Sequence, residues 1–383
     1  MLKAVVGHSN DPDTESAIAE VLHQCQTSLD GIIPQAGILL AALDFDHGNI
    51  LQQIHQTFPT IQLIGGTTDG EVSSILEFQQ DSLVLLLLYS DEIKFHTAVG
   101  HQISSNPVAI AQKTAQTAQA QAQHPISLCI TIPESLTTSG VSLLQGLKQA
   151  LGADMPIIGG TTCDQWQFKQ TYQFFGQDVL SDALPILLLS GPVLMGHGVS
   201  TGWTPIGKKG KVTKSEGNVL HEVDGQPALE FYQDYLGEIR PSPAYRLAVF
   251  EPNQESWYMR SSNGAYNETS GSITFFADIP PQSDIQVVRS SRDEIVESAQ
   301  LSMQKALEHY PGTQPKVALF FSCTGRLHTL GTRTQEEYQV LHDLLSGITC
   351  AGFYTYGEIA PLRPNSEAQF HNETFVTLLL GVE

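Results

Sequence analysis

One pattern recurs along this chain of 383 residues and constrains its fold more than any other feature. It consists of an apolar run, glycine, a threonine-rich turn, an acidic residue and a second apolar run. Such repetition indicates a fold built from copies of one unit. The spacing from Gly160 to Gly352 is close to twice that from Gly66 to Gly160, which predicts a fourth, degenerate copy near 258–276. The three clear copies are IQLIGGTTDGEV at 61–72, PIIGGTTCD at 156–164 and ITCAGFYTYGEI at 348–359.

The segments before each copy also correspond, because a helical stretch, an apolar strand and a second helix precede the glycine turn. Each unit is therefore helix, strand, helix, strand, strand, strand. The prediction is a mixed α/β (α+β) fold of two similar domains, with four units paired two by two and mixed sheets flanked by helices, for which an αββα-layered stack is one form. The predicted elements are first helices over 15–29, 107–121 and 293–309, strands over 37–43, 126–132 and 316–321, and second helices over 48–57, 140–151 and 334–345.

A stretch rich in Gly, Pro and Lys at 202–210 interrupts the repeating pattern. A shift of composition of this kind is typical of a domain boundary. We therefore predict one domain over 1–203 and a second over 204–383.

Composition excludes several classes of partner. The formal net charge of −21 disfavours nucleic acid and anionic membranes. No apolar run is long enough to span a bilayer, so we expect no membrane insertion. The start MLKAVVG soon reaches Asp11 and Asp13, which indicates a first β-strand rather than a secretory signal. Five widely spaced cysteines without CxxC spacing indicate free thiols and a cytoplasmic location, and neither a metal site nor a cofactor is expected.

Six short stretches, in order along the chain, resemble the characteristic segments of one known family. They are VGHS at 6–9, GGTTDGE at 65–71, NVLHEVDGQPALEFY at 218–232, ALFFSCTGR at 318–326, AGFYTYGEI at 351–359 and HNETF at 371–375. Together they resemble the FIST family, with a FIST N-terminal domain followed by a FIST C-terminal domain, of the stand-alone bacterial type. The resemblance implies a sensory protein that binds a small ligand, for which amino acids have been proposed, and that signals through a separate protein.

The segment Ser322-Cys323-Thr324-Gly325-Arg326 follows a predicted buried strand, a position where ligands are commonly met. Its hydroxyls, amides and guanidinium suit a carboxylate, since Arg offers a planar bidentate fork. The alternative is that Arg326 pairs with an acid such as Glu358, while the hydroxyls cap a turn.

A second candidate group follows the last glycine turn. Glu358, beside Gly357, could bind an ammonium group. Arg326 and Glu358 would then bind the carboxylate and the ammonium group of one amino acid. The alternative is a structural hydrogen bond from Glu358 to turn amides. Tyr354 and Tyr356 alternate along a predicted strand, so both would face one side and line either a pocket or the core.

Three further features have two interpretations each. His371 and Asn372, before the last strand, belong to the predicted binding set through the family resemblance. The Gly65-Gly66 turn and its second copy could cradle an anion, but a structural turn with positive φ is favoured. Cys323, with a nearby histidine as base, could be a nucleophile.

The leading hypothesis is a cytoplasmic sensor without enzymatic activity and without catalytic residues, whose ligand is an amino acid or a similar small polar metabolite. A thiol-dependent enzyme using Cys323 and a protein-interaction scaffold without a metabolite are the alternatives. The predicted ligand-binding residues are Ser322, Cys323, Thr324, Gly325, Arg326, Tyr354, Tyr356, Gly357, Glu358, His371 and Asn372.

Overall fold

The structure, a computed structural model, describes residues 1–238, 240–252 and 256–383. It confirms the mixed α/β class, with mixed sheets flanked by helices. Three units of similar element order form the body, and a separate β-rich segment is inserted in the third.

The first unit begins with a strand and ends with one, as the apolar pattern predicts. Asp13 caps its first helix by accepting a hydrogen bond from the Ser16 amide at 3.0 Å. Its elements are β1 (Leu2–Ser9), α1 (Thr14–Leu29), β2 (Ala36–Ala41), α2 (His47–Thr57), β3 (Gln62–Thr67), β4 (Glu71–Ser73), β5 (Glu77–Gln79) and β6 (Leu83–Ser90).

The second unit repeats this order. Asn106 caps its first helix, and Pro107 occupies the first helical position, where its missing amide hydrogen costs nothing. Its elements are β7 (Lys94–His101), α3 (Pro107–Gln119), β8 (Ile126–Thr131), α4 (Gly140–Leu151), β9 (Ile157–Gly160), β10 (Gln173–Phe175), β11 (Asp178–Leu180) and β12 (Ala183–Ser190).

The third unit starts with β13 (Leu194–Ser200) and is then interrupted by residues 204–289, which we call the β-insert. The β-insert forms an eight-stranded sheet whose recorded strand pairs are all antiparallel. Its elements are β14 (Thr204–Pro205), β15 (Gly210–Glu216), β16 (Val219–Val223), β17 (Gln226–Pro227), α5 (Ala228–Leu236), β18 (Arg246–Phe250), β19 (Trp257–Tyr266), β20 (Ile273–Phe275) and β21 (Asp284–Arg289).

The third unit then resumes, and its first helix carries a capping box between Ser291 and Glu294. The helix predicted over 334–345 is wrong as a single element, because α8 covers only Glu336–Gln339 and a 3₁₀ turn follows at His342–Leu345. The remaining elements are α6 (Arg292–His309), β22 (Val317–Cys323), α7 (Thr324–Leu330), α8 (Glu336–Gln339), β23 (Thr349–Thr355), β24 (Glu358–Pro361), β25 (Ala368–His371) and β26 (Phe375–Gly381).

The predicted fourth copy is wrong. The region 258–276 lies in β19 and β20 of the β-insert, which pair antiparallel. The doubled spacing between the second and third copies therefore comes from the β-insert, so the units of the described chain do not pair two by two.

Each unit contributes a two-stranded hairpin to the sheet of another unit. The three sheets have the orders β1-β6-β2-β3-β10-β11, β7-β12-β8-β9-β24-β25 and β13-β26-β22-β23-β4-β5. The first sheet thus takes its hairpin from the second unit, the second from the third, and the third from the first. The domain boundary at 203/204 stays a prediction, but shared sheets join the segments on its two sides.

The three sheets enclose one apolar core, and the helices cover their outer faces. In β6, alternate residues Val84, Leu86 and Leu88 belong to this common core, whereas Leu83, Leu85 and Leu87 pack with the core under α1 and α2. Strands buried on both faces read as continuous apolar runs, which explains the long runs in the sequence.

The repeated glycines are not turns with positive φ, and that prediction was wrong. Gly65 lies in β3 and Gly159 in β9, each beside a parallel strand. A Cβ on Gly65 would lie 2.0 Å from the Leu39 carbonyl oxygen, and one on Gly159 would lie 1.9 Å from that of Thr131. Glycine is required here because the neighbouring backbone approaches too closely for a side chain.

Candidate ligand-binding site

The ends of the three central parallel strand pairs meet at one point of the fold. The Asp69 amide donates to the Tyr354 carbonyl at 3.3 Å, and the Cys163 amide donates to the Thr67 carbonyl at 2.8 Å. Asp69, Cys163 and Tyr356 occupy corresponding places in the three copies, one residue position beyond the repeated threonine. The repeat therefore brings three chemically different side chains to one place.

A loop at this point, residues 164–170, distinguishes the second copy, and we call it the Trp166 loop. In the first and third copies the hairpin follows the repeated glycine segment almost directly, whereas here the loop comes first. Gln165, Trp166 and Phe168 have φ of 55°, 59° and 50°. Positive φ is uncommon for bulky residues and costs of order 1–3 kcal/mol each.

Acceptors from all three copies of the repeat hold the strained Trp166 loop. The Gln165 amide donates to Asp69 Oδ1 at 2.6 Å, and the Trp166 amide donates to the Tyr356 hydroxyl oxygen at 2.7 Å. Asp164 accepts from the amides of Phe168 and Lys169 and from the Tyr356 hydroxyl, the last at 2.6 Å. These bonds fix two aromatic rings, those of Trp166 and Phe168, over the strand ends.

Beneath the loop lies a cavity of about 30 Å³, which we call the Glu373 cavity. The third unit contributes Cys323, Thr324, Gly325, Tyr356, Asn372 and Glu373, the Trp166 loop contributes Trp166 and Phe168, and the β-insert contributes Pro243, Ser261 and Phe276. The rings of Phe168 and Phe276 stack with centroids 5.7 Å apart, and Phe168 also stacks on Tyr356 at 5.1 Å. Aromatic walls surround a few convergent polar groups, a composition typical of small-molecule sites.

Two buried acceptors of this cavity lack a hydrogen-bond partner within the described residues. They are Asn372 Oδ1 and Glu373 Oε2, on residues each 2% exposed. Buried polar atoms are ordinarily paired, because an unmade hydrogen bond costs about 1–3 kcal/mol. These two oxygens can therefore accept hydrogen bonds from N–H donors outside the described chain.

The other oxygen of Glu373 belongs to a buried ion pair. Glu373 Oε1 lies 2.6 Å from Arg246 Nε, a distance that makes an ion pair although the geometry is not that of a hydrogen bond. It also accepts from the Ser261 hydroxyl at 3.0 Å. Gly325 leaves room for this carboxylate, since a Cβ there would lie 2.1 Å from Glu373 Oε1. Side chains from the β-insert thereby hold the carboxylate against the start of α7.

Arg326 does not take the predicted position opposite Glu358. It is fully buried, and its partner is Glu337, with Nε and Nη2 at 2.8 Å and 2.5 Å from Oε1. Its remaining hydrogens go to the carbonyls of Thr201 and Ile295 and to the Ser298 hydroxyl. All five guanidinium donors are thus used inside the described chain, so none is left for a ligand carboxylate.

Ser322 and Tyr354 belong to the same cluster around Glu337. The Ser322 hydroxyl donates to Glu337 Oε2 at 3.1 Å, and the Tyr354 hydroxyl donates to the same oxygen. Tyr356 lies beyond the end of β23 and lines the Glu373 cavity instead. The expectation that Tyr354 and Tyr356 face one pocket is therefore wrong, because the strand ends at Thr355 before the alternation reaches Tyr356.

Glu358 takes the structural alternative. Its Oε2 accepts from the amide and the hydroxyl of Thr374, at 3.0 Å and 2.8 Å. The corresponding Glu71 accepts from the amide of Ser82, also at the start of a unit's last strand. Burial, together with the charge of Glu373, raises the pKa of Glu358 well above its usual range.

His371 and Gly357 also have structural contacts. His371 Nε2 lies 2.8 Å from the Ala360 carbonyl oxygen, and burial lowers the pKa of the imidazole to about 4. Gly357 leaves space for Phe370, whose ring would lie 2.1 Å from an added Cβ. Of the predicted residues, Cys323, Thr324, Gly325, Tyr356 and Asn372 line the cavity.

The geometry does not favour Cys323 as a nucleophile. Burial raises the pKa of its thiol well above the usual value, and the charges of Glu358 and Glu373 raise it further. A thiolate nucleophile requires the opposite shift. All five cysteines are buried and free of disulfides.

Sequence reasoning missed six of the lining residues, namely Trp166, Phe168, Pro243, Ser261, Phe276 and Glu373. One signal was available for the Trp166 loop: the second copy departs from the other two after Cys163, where DQWQF at 164–168 replaces the glycine and glutamate. The contributions of the β-insert carry no comparable signal, because they come from elements outside the repeat.

Two protein-family models match most of the chain. The FIST N domain matches residues 35–226 and the FIST C domain matches residues 228–361. The chain belongs to the FIST family, whose domains are associated with sensory signal transduction and small-ligand binding.

Sequence similarity to relatives extends over almost the whole chain. An uncharacterized protein of Mycobacterium tuberculosis is 26% identical over 378 residues, covering 93% of this chain and 94% of the relative. An uncharacterized protein of Mycobacterium bovis is 23% identical over 379 residues, with the same coverage.

Among solved structures, a cyanuric acid hydrolase from A. caulinodans aligns over 100% of both chains, with 7% identity and a TM-score of 0.43. A chorismatase aligns over 99% of this chain and 98% of its own, with 8% identity and a TM-score of 0.37. At these scores neither likeness bears on the chemistry of this chain. In the described ranges, no helix has both the length and the apolar character to cross a membrane.

Proposed function

We propose that this protein is an intracellular sensor that binds an amino acid or a similar small polar metabolite in the Glu373 cavity, without changing it covalently. The observation that carries this proposal is the pair of buried acceptors, Asn372 Oδ1 and Glu373 Oε2, that lack partners in the described chain. Both residues line an aromatic cavity built from three separate parts of the molecule.

The chemistry of the cavity favours an amino group as the polar end of the ligand. Two acceptor oxygens match the N–H donors of an ammonium group, and charge assistance from Glu373 strengthens such bonds. The rings of Phe168 and Phe276 offer an apolar surface for the rest of the molecule. An Arg and Glu pair is present as well, but it is Arg246 with Glu373 rather than Arg326 with Glu358.

Binding requires the Trp166 loop to move. A cavity of about 30 Å³ holds little more than one water molecule. A larger cleft of about 570 Å³ shares Phe168 and Phe276 with it, so these two rings separate the cavity from open space. A shift of the strained loop would join the two volumes.

Signalling follows from the construction of the cavity. Its walls come from the second unit, the third unit and the β-insert, so a ligand that contacts all three favours one arrangement of these parts. Only a difference in affinity between two arrangements shifts their populations. A separate signalling protein would read that shift.

A thermal-unfolding panel of the common amino acids and their neutral amides tests the proposal. A bound amino acid at 100 times its dissociation constant should stabilise the protein by about 2.7 kcal/mol. Asn372→Leu should abolish that stabilisation without unfolding the protein, because Asn372 Oδ1 makes no hydrogen bond to the described residues.

The matched control is Glu367→Gln, which alters an exposed carboxylate paired with Lys148 and should leave the ligand response unchanged. Absence of stabilisation by every panel member, or an unaltered response in Asn372→Leu, would reject the Glu373 cavity as the site.

A further inference from the structure

A second cavity, of about 350 Å³, lies on the other side of Trp166, and we call it the Asp69 cavity. Trp166 lines both cavities, but the proposed ligand site and this one share no other lining residue. Its walls include Asp69, Phe78, Gln165, His328 and Thr334. This volume lies in the range of small-molecule sites, so a small ligand would fit without any movement of the Trp166 loop.

Asp69 is the unusual member of this wall. It is 3% exposed, and its Oδ1 accepts the Gln165 amide at 2.6 Å. Its Oδ2 is buried and has no hydrogen-bond partner within the described residues. As a carboxylate this oxygen lacks a donor, and as a carboxylic acid it lacks an acceptor, so neither protonation state is satisfied by the chain.

The charges around Asp69 are negative. Burial, together with the charges of Asp164 and Glu71, raises the pKa of Asp69 to about 8 against the opposing effect of the Gln165 amide. The neighbouring Cys163 and Tyr356 are neutral, because burial raises the pKa of both groups.

Across the cavity, burial and the charge of Arg246 lower the pKa of His328, so its imidazole is neutral at pH 7. No Lys or Arg belongs to the wall as the described residues form it. A cation placed beside Asp69 would therefore meet negative charge and no opposing positive group within this wall.

We propose that the Asp69 cavity is a second binding site, which takes an organic ammonium ion with Asp69 as its counter-ion and the rings of Phe78 and Trp166 as its aromatic walls. Cations bind favourably over aromatic faces, most strongly over Trp. A metal ion fits less well, because calcium and magnesium require several oxygen ligands and the wall presents one carboxylate.

The ammonium ion and the proton compete for Asp69, which gives the site a distinctive pH dependence. Below pH 8 most Asp69 is protonated, and binding a cation must release that proton. Affinity should therefore rise about tenfold per pH unit from pH 6 towards pH 8. A ligand that instead accepted a hydrogen bond from protonated Asp69 would bind more weakly as the pH rises.

Titration calorimetry of the full chain with butylammonium and with butan-1-ol, at pH 6, 7 and 8, tests this site. The proposal requires butylammonium to bind with rising affinity and butan-1-ol not to bind. Asp69→Asn, which keeps the acceptor for the Gln165 amide, should lose binding, whereas Asp81→Asn should retain it. Asp81 is a matched control because it is exposed and contacts the same Gln165 through the side chain.

Two further variants keep the outcome decisive. Phe78→Leu should weaken butylammonium binding several-fold through loss of the aromatic face. Asn372→Leu, which disables the Glu373 cavity, should leave it unchanged, so the two sites can fail separately. Equal binding of the alcohol, affinity that falls or stays constant with pH, or full binding by Asp69→Asn would overturn the proposal.

Discussion

Arg326 illustrates how a residue suited to ligand recognition can serve the fold instead. Its guanidinium joins the end of β13 to α6 and α8, through the Thr201 and Ile295 carbonyls and the Glu337 carboxylate. Because α6 resumes the third unit after the β-insert, these bonds reconnect a unit that the insertion divides. The guanidinium is removed from water, so its contribution to stability depends on every one of these partners.

Replacing Arg326 should therefore damage stability rather than ligand binding. We expect Arg326→Met to lower the free energy of unfolding by about 3–5 kcal/mol, because Glu337 would remain buried without its partner. Urea denaturation followed by circular dichroism measures this loss.

Arg333→Met provides the control, since Arg333 is partly exposed and pairs with Glu336 and Asp293 at the surface. Its midpoint should stay close to that of the unmodified protein. Equal midpoints for the two variants would contradict the role assigned to Arg326.

At the scale of elements, the short distance between the paired parallel strands restricts which residues they can contain. β2 and β3 lie so near each other at Leu39 and Gly65 that no side chain fits between them. The same contact recurs between β8 and β9 at Thr131 and Gly159. The repeat in the sequence is thus the trace of a packing requirement inside each sheet.

Gly65→Ala should disrupt the first sheet. Its Cβ would meet the Leu39 carbonyl oxygen at 2.0 Å, and backbone cannot yield as a side chain can. We expect a loss of several kcal/mol or failure to fold, since overpacking in a core costs about 1–3 kcal/mol even where side chains can shift. Thermal unfolding and soluble yield are the measurements.

The matched control is Gly48→Ala in α2, where an added Cβ meets only Asp46 Oδ1 at 3.5 Å. It should stabilise the protein slightly, by up to about 1 kcal/mol, because alanine favours helix over glycine. Indifference of the protein to Gly65→Ala would show that the parallel strands can separate at little cost.

At the scale of the whole molecule, the exchanged hairpins join the part of the chain before residue 204 to the part after it. The β4–β5 hairpin of the first unit pairs with β23, and β9 of the second unit pairs with β24. β13 similarly needs β26. The chain before residue 204 therefore leaves three strand edges unpaired when the rest is removed, and unpaired edges favour aggregation.

We accordingly expect fragment 1–203 to show no cooperative unfolding transition by itself and to gain one when co-expressed with fragment 204–383. Size-exclusion chromatography and thermal unfolding of the fragments, singly and together, measure this dependence. A cooperative transition of 1–203 alone would instead support the predicted division into two independent domains.

Much of the local structure was predictable, because apolar periodicity and caps act over short distances. The helix over Gly140–Leu151 has the predicted bounds, and the strands before each glycine pattern lie within a few residues of the prediction. The third unit was less predictable, since the helix predicted over 334–345 is divided into α8 and a 3₁₀ turn at His342–Leu345. Among the cavity residues, Cys323 to Gly325 were found because they follow a buried strand, Tyr356 through its place beside the last repeat, and Asn372 through the family resemblance.

The sequence by itself determined the repeated unit, the mixed α/β class and the family, since periodicity and motif order are local properties of the chain. Only the tertiary structure decided the number of units, the exchange of hairpins and the partner of Arg326. It also decided that Trp166 and the β-insert close the Glu373 cavity. These are contacts between residues far apart in sequence, where the pairing depends on how whole sheets pack and no local pattern records it.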